Sequence, residues 1–314
     1  MARNMEIEIA LCQAVEYART FLHTGKVASY IPELAKGNPE QLGACIVTAD
    51  GTRYRCGDWQ QEFTIQSISK TINLIYALQN SGYTKVFSKV GMEPTGDAFN
   101  SIIKLETKTV YPLNPMINAG AIAVASCNMN QSDPFGGFLA LTRRLCGRDS
   151  ITLNEAVYHS ENRTGMRNRA MAYMMQSENV LEYGAEEVLD LYFRMCSVNV
   201  NTEDLAHFGL ILSNHGVDPV SGEMLVEGWI VQIVKTLMFT CGLYDGSGEF
   251  AVKVGIASKS GVGGGIVGAV EQQMGIAAFG PALDAKGNSV GGYHVFEYLS
   301  HCLNLHCFGG TSAK

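Results

Sequence analysis

No run of eighteen apolar residues occurs in the 314-residue chain, so no segment is long enough to cross a bilayer as a helix. The opening stretch, "MARNMEIEIALCQ", places acids where a signal or transit peptide carries basic residues ahead of an apolar stretch, which makes the cytoplasm the expected compartment. Positive charge is scarce: 23 Lys and Arg stand against 30 Asp and Glu, for a net charge of −7 and a pI near 5.5. That balance argues against nucleic acid or an anionic membrane as a partner, because counterion release needs clustered cations. The one basic cluster, "NRTGMRNRA" at 162–170, is short and broken by Asn and Gly. Cys-x-x-Cys is also missing, and an odd count of nine scattered cysteines suggests neither a disulfide framework nor a thiolate zinc site. They read instead as reduced thiols serving as small apolar residues. Cys302 and Cys307 have His301 and His306 beside them, but the apolar spacing of "FEYLSHCLNLHCF" reads as a packed helix before it reads as a metal site. What is present is 46% apolar residues with only 17% charged, enough to bury a substantial core.

The hydrophobic period changes along the chain. "EIALCQAVEYARTFLHTGK" has apolar residues at helical intervals and meets a glycine stop at Gly25. "LGACIVTADGTRYRCGD" holds two alternating runs around Asp50-Gly51, a hairpin signal. A helix is expected from about Ser67 to Asn80, stopped by Ser81-Gly82. From about 85 to 240 the pattern is mostly helical, with turn-rich breaks at "YPLNPMINAG" and "SNHGVDPVSGE". Three short, glycine-punctuated strand runs follow, "FAVKVGIASKSG", "GGGIVGAVEQQ" and "MGIAAFGPALD", and "YHVFEYLSHCLNLHC" closes the chain as a helix. Strands from both ends of the chain need each other to bury their faces. The expectation is therefore one α+β domain over 1–314, with a sheet part of about 1–65 plus 245–314 and a helical part of about 66–244.

Within "EFTIQSISKTINLIYAL", Ser67 and Lys70 stand three apart, neighbours on a helix, so the amine can reach the hydroxyl. A lysine whose pKa is lowered by burial could take the serine's proton, and a serine amide in a first helical turn could face an oxyanion. Read blandly, Ser67 is an ordinary helix-start residue and Lys70 a solvated one. The same spacing recurs at Ser101/Lys104, and nothing local excludes that pair. The apolar helix behind Ser67 and the hairpin leading into it favour Ser67. "KSGVGGG" at 259–265 adds a Lys-Ser-Gly at a strand end, and Ser-x-x-Lys with a later Lys-[Ser/Thr]-Gly is the pairing of penicillin-recognising serine enzymes. "MINAG" around Asn118 loosely fits the middle motif of that set, with Met116 in place of its serine. "GGGIVG" at 263–268, with Asp284 beyond it, also satisfies the dinucleotide-binding pattern. The residues after it read as more strand, not as a helix whose N-terminus would hold a pyrophosphate, so the glycines are better explained by close backbone packing beside a ligand.

Taken in order, "QSISK", "PLNPMINAGAI", "SENRTGMRNRA", "LYFRMCSVNV", "TCGLYDGSG", "AKSGVGGGI" and "GNSVGG" resemble the serine-dependent glutaminases, over nearly the whole chain. The resemblance implies a fold like the serine β-lactamases and penicillin-binding proteins: an antiparallel sheet flanked by N- and C-terminal helices, with a large helical subdomain. It implies hydrolysis of L-glutamine to L-glutamate and ammonia without a metal or organic cofactor, by a homodimer or homotetramer. Ser67 would be the nucleophile, Lys70 its general base and Tyr244 an aid to proton transfer. The amides of Ser67 and Val262 would form the oxyanion hole. Asn118, Glu161, Asn168 and Tyr192 would hold the amino-acid end of the substrate, with Tyr30 closing over it. A zwitterion needs one acid, here Glu161, and several neutral donors. Without the family, Glu161 and Asn168 read as a solvated pair, Tyr192 as a core aromatic and Tyr244 as part of a turn. Met166 departs from the polar or charged residue many relatives carry there. The other readings are a β-lactamase-like or peptidase-like serine hydrolase and a non-catalytic glutamine sensor.

Overall fold

The structure, a computed structural model, describes residues 2–95 and 111–309. Five antiparallel strands form one sheet: β1 (Gly43–Thr48), β2 (Arg53–Gly57), β5 (Ala257–Ser260), β6 (Gly265–Val270) and β7 (Met274–Phe279), in the spatial order β2-β1-β7-β6-β5. The β1–β2 hairpin turns at Asp50-Gly51 as expected, and β1 pairs along its other edge with β7, from Gly43 opposite Phe279 to Thr48 opposite Met274. The first strand of the chain thus lies beside the last. A second, two-stranded ladder joins β3 (Phe63–Thr64) to β4 (Asn199–Val200), too short to show as alternation in the sequence.

Side-chain alternation splits the sheet into two different faces. Ala44, Ile46, Ile266, Ile276 and Ala278 point to one side, where they pack with α1 (Ala2–Arg19) and α11 (Val290–Cys302). Ile7, Ala10, Leu11, Ala14, Val15 and Ala18 of α1 recur at three- and four-residue intervals and form the stripe that meets them. Cys45, Val47, Val267 and Ala277 point the other way, toward the helical block. That block comprises α2 (Ser69–Phe87), α3 (Asn118–Asn128), α4 (Pro134–Cys146), α5 (Glu155–Thr164), α6 (Met166–Ser177), α7 (Ala185–Cys196), α8 (Thr202–Ser213) and α9 (Gly228–Cys241). Helix α8 lies directly on the sheet, its backbone against that of β7. A Cβ placed on Gly275 would come within 1.9 Å of the Ala206 carbonyl oxygen, so only glycine allows this approach.

Four expectations need correction. The front of the run starting at Phe250 is not strand: Ser247–Lys253 forms α10, because Phe250 and Val254 are buried at helical spacing while Val252 between them is 79% exposed, and the run becomes strand only at Ala257–Ser260, which is β5. Helix α2 does not stop at Ser81-Gly82. It breaks there, at Gly82 with φ of 77°, and resumes to Phe87. Ser67 sits just ahead of α2, in a 3₁₀ turn over Gln66–Ile68, and the final helix ends at Cys302, before Asn304 with φ of 54°. The glycine run at 263–268 leads into β6 and not into a helix, as its dismissal as a nucleotide site required.

Candidate active site

Ser67 is placed by a strained turn. Gln66, directly before it, has φ of 48°, a left-handed conformation that costs an ordinary residue energy, and the Ser67 side chain is only 6% exposed. The β5–β6 turn closes against this segment: a Cβ on Gly261 would stand 2.8 Å from the Ile65 carbonyl oxygen and 3.3 Å from the Ser67 nitrogen, and one on Gly263 would stand 2.5 Å from the Thr64 oxygen. The glycines of "KSGVGGG" therefore do serve close backbone packing, and they bring the Val262 segment up to the Ser67 amide.

Lys70, the second residue of α2 and three residues beyond Ser67, is 1% exposed. Its Nζ donates to Oδ1 of Asn118 at 2.7 Å, and Nδ2 of Asn118 donates to Oδ1 of Asn168 at 2.9 Å. Burial pulls the Lys70 pKa down to about 8, with the acidic groups of Cys196 and Glu161 opposing part of the fall. The Tyr244 hydroxyl hydrogen-bonds Ser67, and burial raises its pKa to about 12. Tyr244 also has a left-handed backbone, φ 55°, in the turn Tyr244–Gly246 that follows α9. Behind it lies Lys259, fully buried, with Nζ donating to the carbonyls of Gly242 at 2.9 Å and Ser260 at 2.6 Å and resting 4.5 Å from the centre of the Tyr244 ring.

A cleft opens in front of Ser67, lined among others by Tyr30, Asn118, Glu161, Asn168 and Tyr192. Glu161 reaches it from α5, Asn168 from α6 and Tyr192 from α7. Burial pushes the Glu161 pKa up to about 8 despite a hydrogen bond from Gln66 and the nearby Lys70 charge. Tyr192 is buried and its hydroxyl held well above its usual pKa by that burial and by neighbouring Cys196 and Glu161. Tyr30 is 54% exposed over the cleft mouth while its hydroxyl end is buried, and that burial, with Glu161 and Tyr244 nearby, raises its pKa. Lys70 bonds Asn118 of this wall, Tyr244 bonds Ser67, and Val262 lies in the turn packed against the Ser67 segment, so the residues that the family resemblance singled out lie close to one another. The alternative pair, Ser101 and Lys104, lies outside the described residues. Gln66, Cys196 and Arg167 also line the cleft and were not singled out; Gln66 stands inside "QSISK" and Arg167 inside the basic cluster, which were the available signals. Among the described residues no cluster of His, Cys, Asp and Glu is placed to hold a metal ion.

The family model Glutaminase matches residues 25–308. The chain belongs to the glutaminase family. It is 52% identical to Glutaminase 2 of Clostridium perfringens over 297 residues, 94% of this chain and 97% of that protein. Among solved structures, a Bacillus glutaminase in 4.3 M NaCl superposes with a TM-score of 0.89 at 39% identity, covering 96% of this chain and 99% of that one. The covalent complex of a Bacillus subtilis glutaminase with 5-oxo-L-norleucine, formed from 6-diazo-5-oxo-L-norleucine, superposes with a TM-score of 0.86 at 37% identity over 96% and 99% of the two chains. The fold is the β-lactamase-like fold of these glutaminases, and the chain is an enzyme of the same class.

Proposed function

We propose that the cleft hydrolyses L-glutamine to L-glutamate and ammonia through an acyl-enzyme on Ser67. The observation that carries this reading is the buried Lys70 amine beside Ser67. With a pKa of about 8, roughly a quarter of it is neutral at pH 7.5, against roughly one part in a thousand for a free lysine. Neutral Lys70 takes the Ser67 proton as Oγ attacks the side-chain amide carbon. The amides of Ser67 and Val262 receive the oxyanion. Tyr244, hydrogen-bonded to Ser67, relays a proton from the Lys70 ammonium to the leaving nitrogen, which departs as ammonia. Water then adds to the ester, its proton passing to neutral Lys70, and as the C–O bond to Ser67 breaks Oγ takes that proton back from the Lys70 ammonium, releasing glutamate and restoring the serine hydroxyl.

At the other end of the substrate, Glu161 receives the α-ammonium, which returns the buried carboxyl to its ionised form. Asn118, Asn168, Tyr192 and Tyr30 supply hydrogen bonds. Sheet and helical block act as one domain in this reading, since Ser67 and Val262 come from opposite sides of their junction. A reducing compartment such as the cytosol suits the nine free cysteines, five of them buried.

The test is labelling with 6-diazo-5-oxo-L-norleucine, whose diazoketone replaces the amide. The added mass is expected on Ser67, blocked by excess glutamate and lost in both Ser67→Ala and Lys70→Ala. Label on Ser101, Ser260 or a cysteine, with Ser67→Ala still releasing ammonia from glutamine, overturns the mechanism.

A further inference from the structure

The block "GNSVGG" at 287–292 has no part in the mechanism above, and neither has Asp284 ahead of it. Both belong to a short turn between β7 and α11 that hydrogen bonds hold shut. The backbone nitrogens of Lys286 and Asn288 each donate to Oδ1 of Asp284 at 2.9 Å, the Asp284 nitrogen donates to the Asn288 carbonyl at 2.8 Å, and the Ser289 hydroxyl donates to the Gly280 carbonyl at 2.6 Å. From this base Asn288, 2% exposed, reaches two segments that bear on Tyr244. Its Oδ1 accepts from the Ser260 hydroxyl at 2.6 Å, and its Nδ2 donates to the Leu243 carbonyl at 3.4 Å. A Cβ on Gly246 would stand 3.4 Å from the same Nδ2, so the amide packs directly on the turn Tyr244–Gly246.

We propose that Asn288 is a positioning residue for Tyr244, clasping the turn that carries the tyrosine to the strand end that its hydroxyl meets. This rests on the reading of Tyr244 as a proton relay beside Ser67. The need for a clasp lies in the backbone: Tyr244 has φ of 55°, a left-handed conformation that an ordinary residue keeps only where its surroundings over-determine it. Ser247 gives part of that restraint, its hydroxyl accepting from the Leu243 nitrogen at 3.0 Å and donating to the Tyr244 carbonyl at 2.8 Å. Those bonds hold the turn only against itself. Asn288 joins it, through Leu243, to Ser260 at the end of β5. The Ser260 hydroxyl has one proton, and the 2.6 Å bond to Asn288 claims it ahead of the Gly242 carbonyl at 3.4 Å. The Ser260 carbonyl accepts from the Tyr244 hydroxyl at 3.4 Å and from Lys259 Nζ at 2.6 Å. One amide thus fixes the backbone end and the hydroxyl end of the tyrosine relative to each other, and the hydroxyl stays within hydrogen-bond reach of Ser67. A relay tolerates little displacement, since proton transfer needs heavy atoms about 2.6–3.2 Å apart.

The experiment is a double-mutant cycle on ammonia release from glutamine by the full chain. Asn288→Ala is expected to lower kcat about tenfold with KM within twofold, and to lower it less than twofold in a Tyr244→Phe background, where no hydroxyl remains to be positioned. Asn288→Asp keeps the shape and the acceptor for Ser260 but loses the donor to Leu243. It is expected to lower kcat about fivefold, again with no effect in the Tyr244→Phe background, and it carries the test should the alanine variant not fold. An equal loss in both backgrounds shows Asn288 serving the fold at large, and a loss confined to KM shows it serving binding. Either result, or an unchanged kcat, overturns the inference. A parent chain that releases no ammonia, or a fully active Tyr244→Phe, overturns the functional reading and this inference with it. Loss of activity in Tyr244→Phe beside an undiminished Asn288 effect overturns the inference alone.

Discussion

The two faces of the sheet are built to opposite rules. Against α1 and α11 the contact is almost wholly apolar, with Leu11, Ile46, Ile276, Val295, Phe296 and Leu299 fully buried. Against the helical block the burial is just as deep, yet Gln66, Ser67, Lys70, Asn118 and Glu161 are enclosed there, two of them with pKa values pulled to about 8. A buried ionisable group costs free energy that a leucine in the same place would return. The difference teaches where stability is accumulated and where it is given up: the dry face can support strained, desolvated chemistry across a sheet only one layer thick.

Breaking each face in turn sharpens this contrast. Ser67→Ala is expected to lower kcat by at least about 10⁴-fold while the denaturation midpoint hardly moves, read by ammonia release and urea titration side by side. On the dry face Phe296→Ala, which empties a fully buried ring, is expected to cost about 3–5 kcal/mol in the same titration with kcat unchanged at low temperature. A loss of turnover out of proportion to unfolding would show that the faces are not separable.

Lys70 tests both rules in one residue. Lys70→Ala is expected to lower kcat by at least about 10²-fold with little change in KM, because loss of a general base acts on the transition state. Lys70→Met, similar in length without the amine, is expected to stabilise the protein. Since the folded pKa of about 8 lies below that of a free lysine, the penalty is full below pH 8 and fades as pH rises toward the ordinary lysine range. The gain at pH 7 is then about 1–3 kcal/mol, shrinking above pH 8. A gain independent of pH would mean that the methionine merely packs better.

The smallest effect concerns Glu161. Its carboxyl must be ionised to hold an ammonium, and its pKa in the empty cleft is about 8, so KM is expected to rise as pH falls below 8 while kcat falls separately through protonation of Lys70. Glu161→Gln removes the first dependence, raises KM about tenfold at pH 8 and leaves kcat within about threefold. A variant that binds normally and fails to turn over would make Glu161 a proton carrier.

Much of this was legible in the sequence, and unevenly so. Hydrophobic period located the hairpin, the helical block and strands β6 and β7, because each buries one face along a continuous segment. It failed at Phe250–Val254, where a short apolar run satisfies strand and helix alike and burial of alternate turns decides. Ser67 and Lys70 were visible as a local spacing with a matching Lys-Ser-Gly downstream. Glu161, Asn168 and Tyr192 carry no such mark, since they converge from three helices, and only ordered blocks shared with a family pointed to them. Gln66 escaped because a left-handed glutamine leaves no trace in composition.

The pairing of β1 with β7 also governs when the molecule can exist during synthesis. A ribosome has released residues 43–48 long before 274–279 are made, and at about 5–20 residues per second that interval lasts on the order of ten seconds or more. Until then the hairpin presents an open edge, and α1 has neither α11 nor the central strand to cover its apolar stripe. The nascent chain is therefore most exposed to misassociation and to chaperone capture for nearly the whole of its translation, and it becomes self-sufficient only at the end.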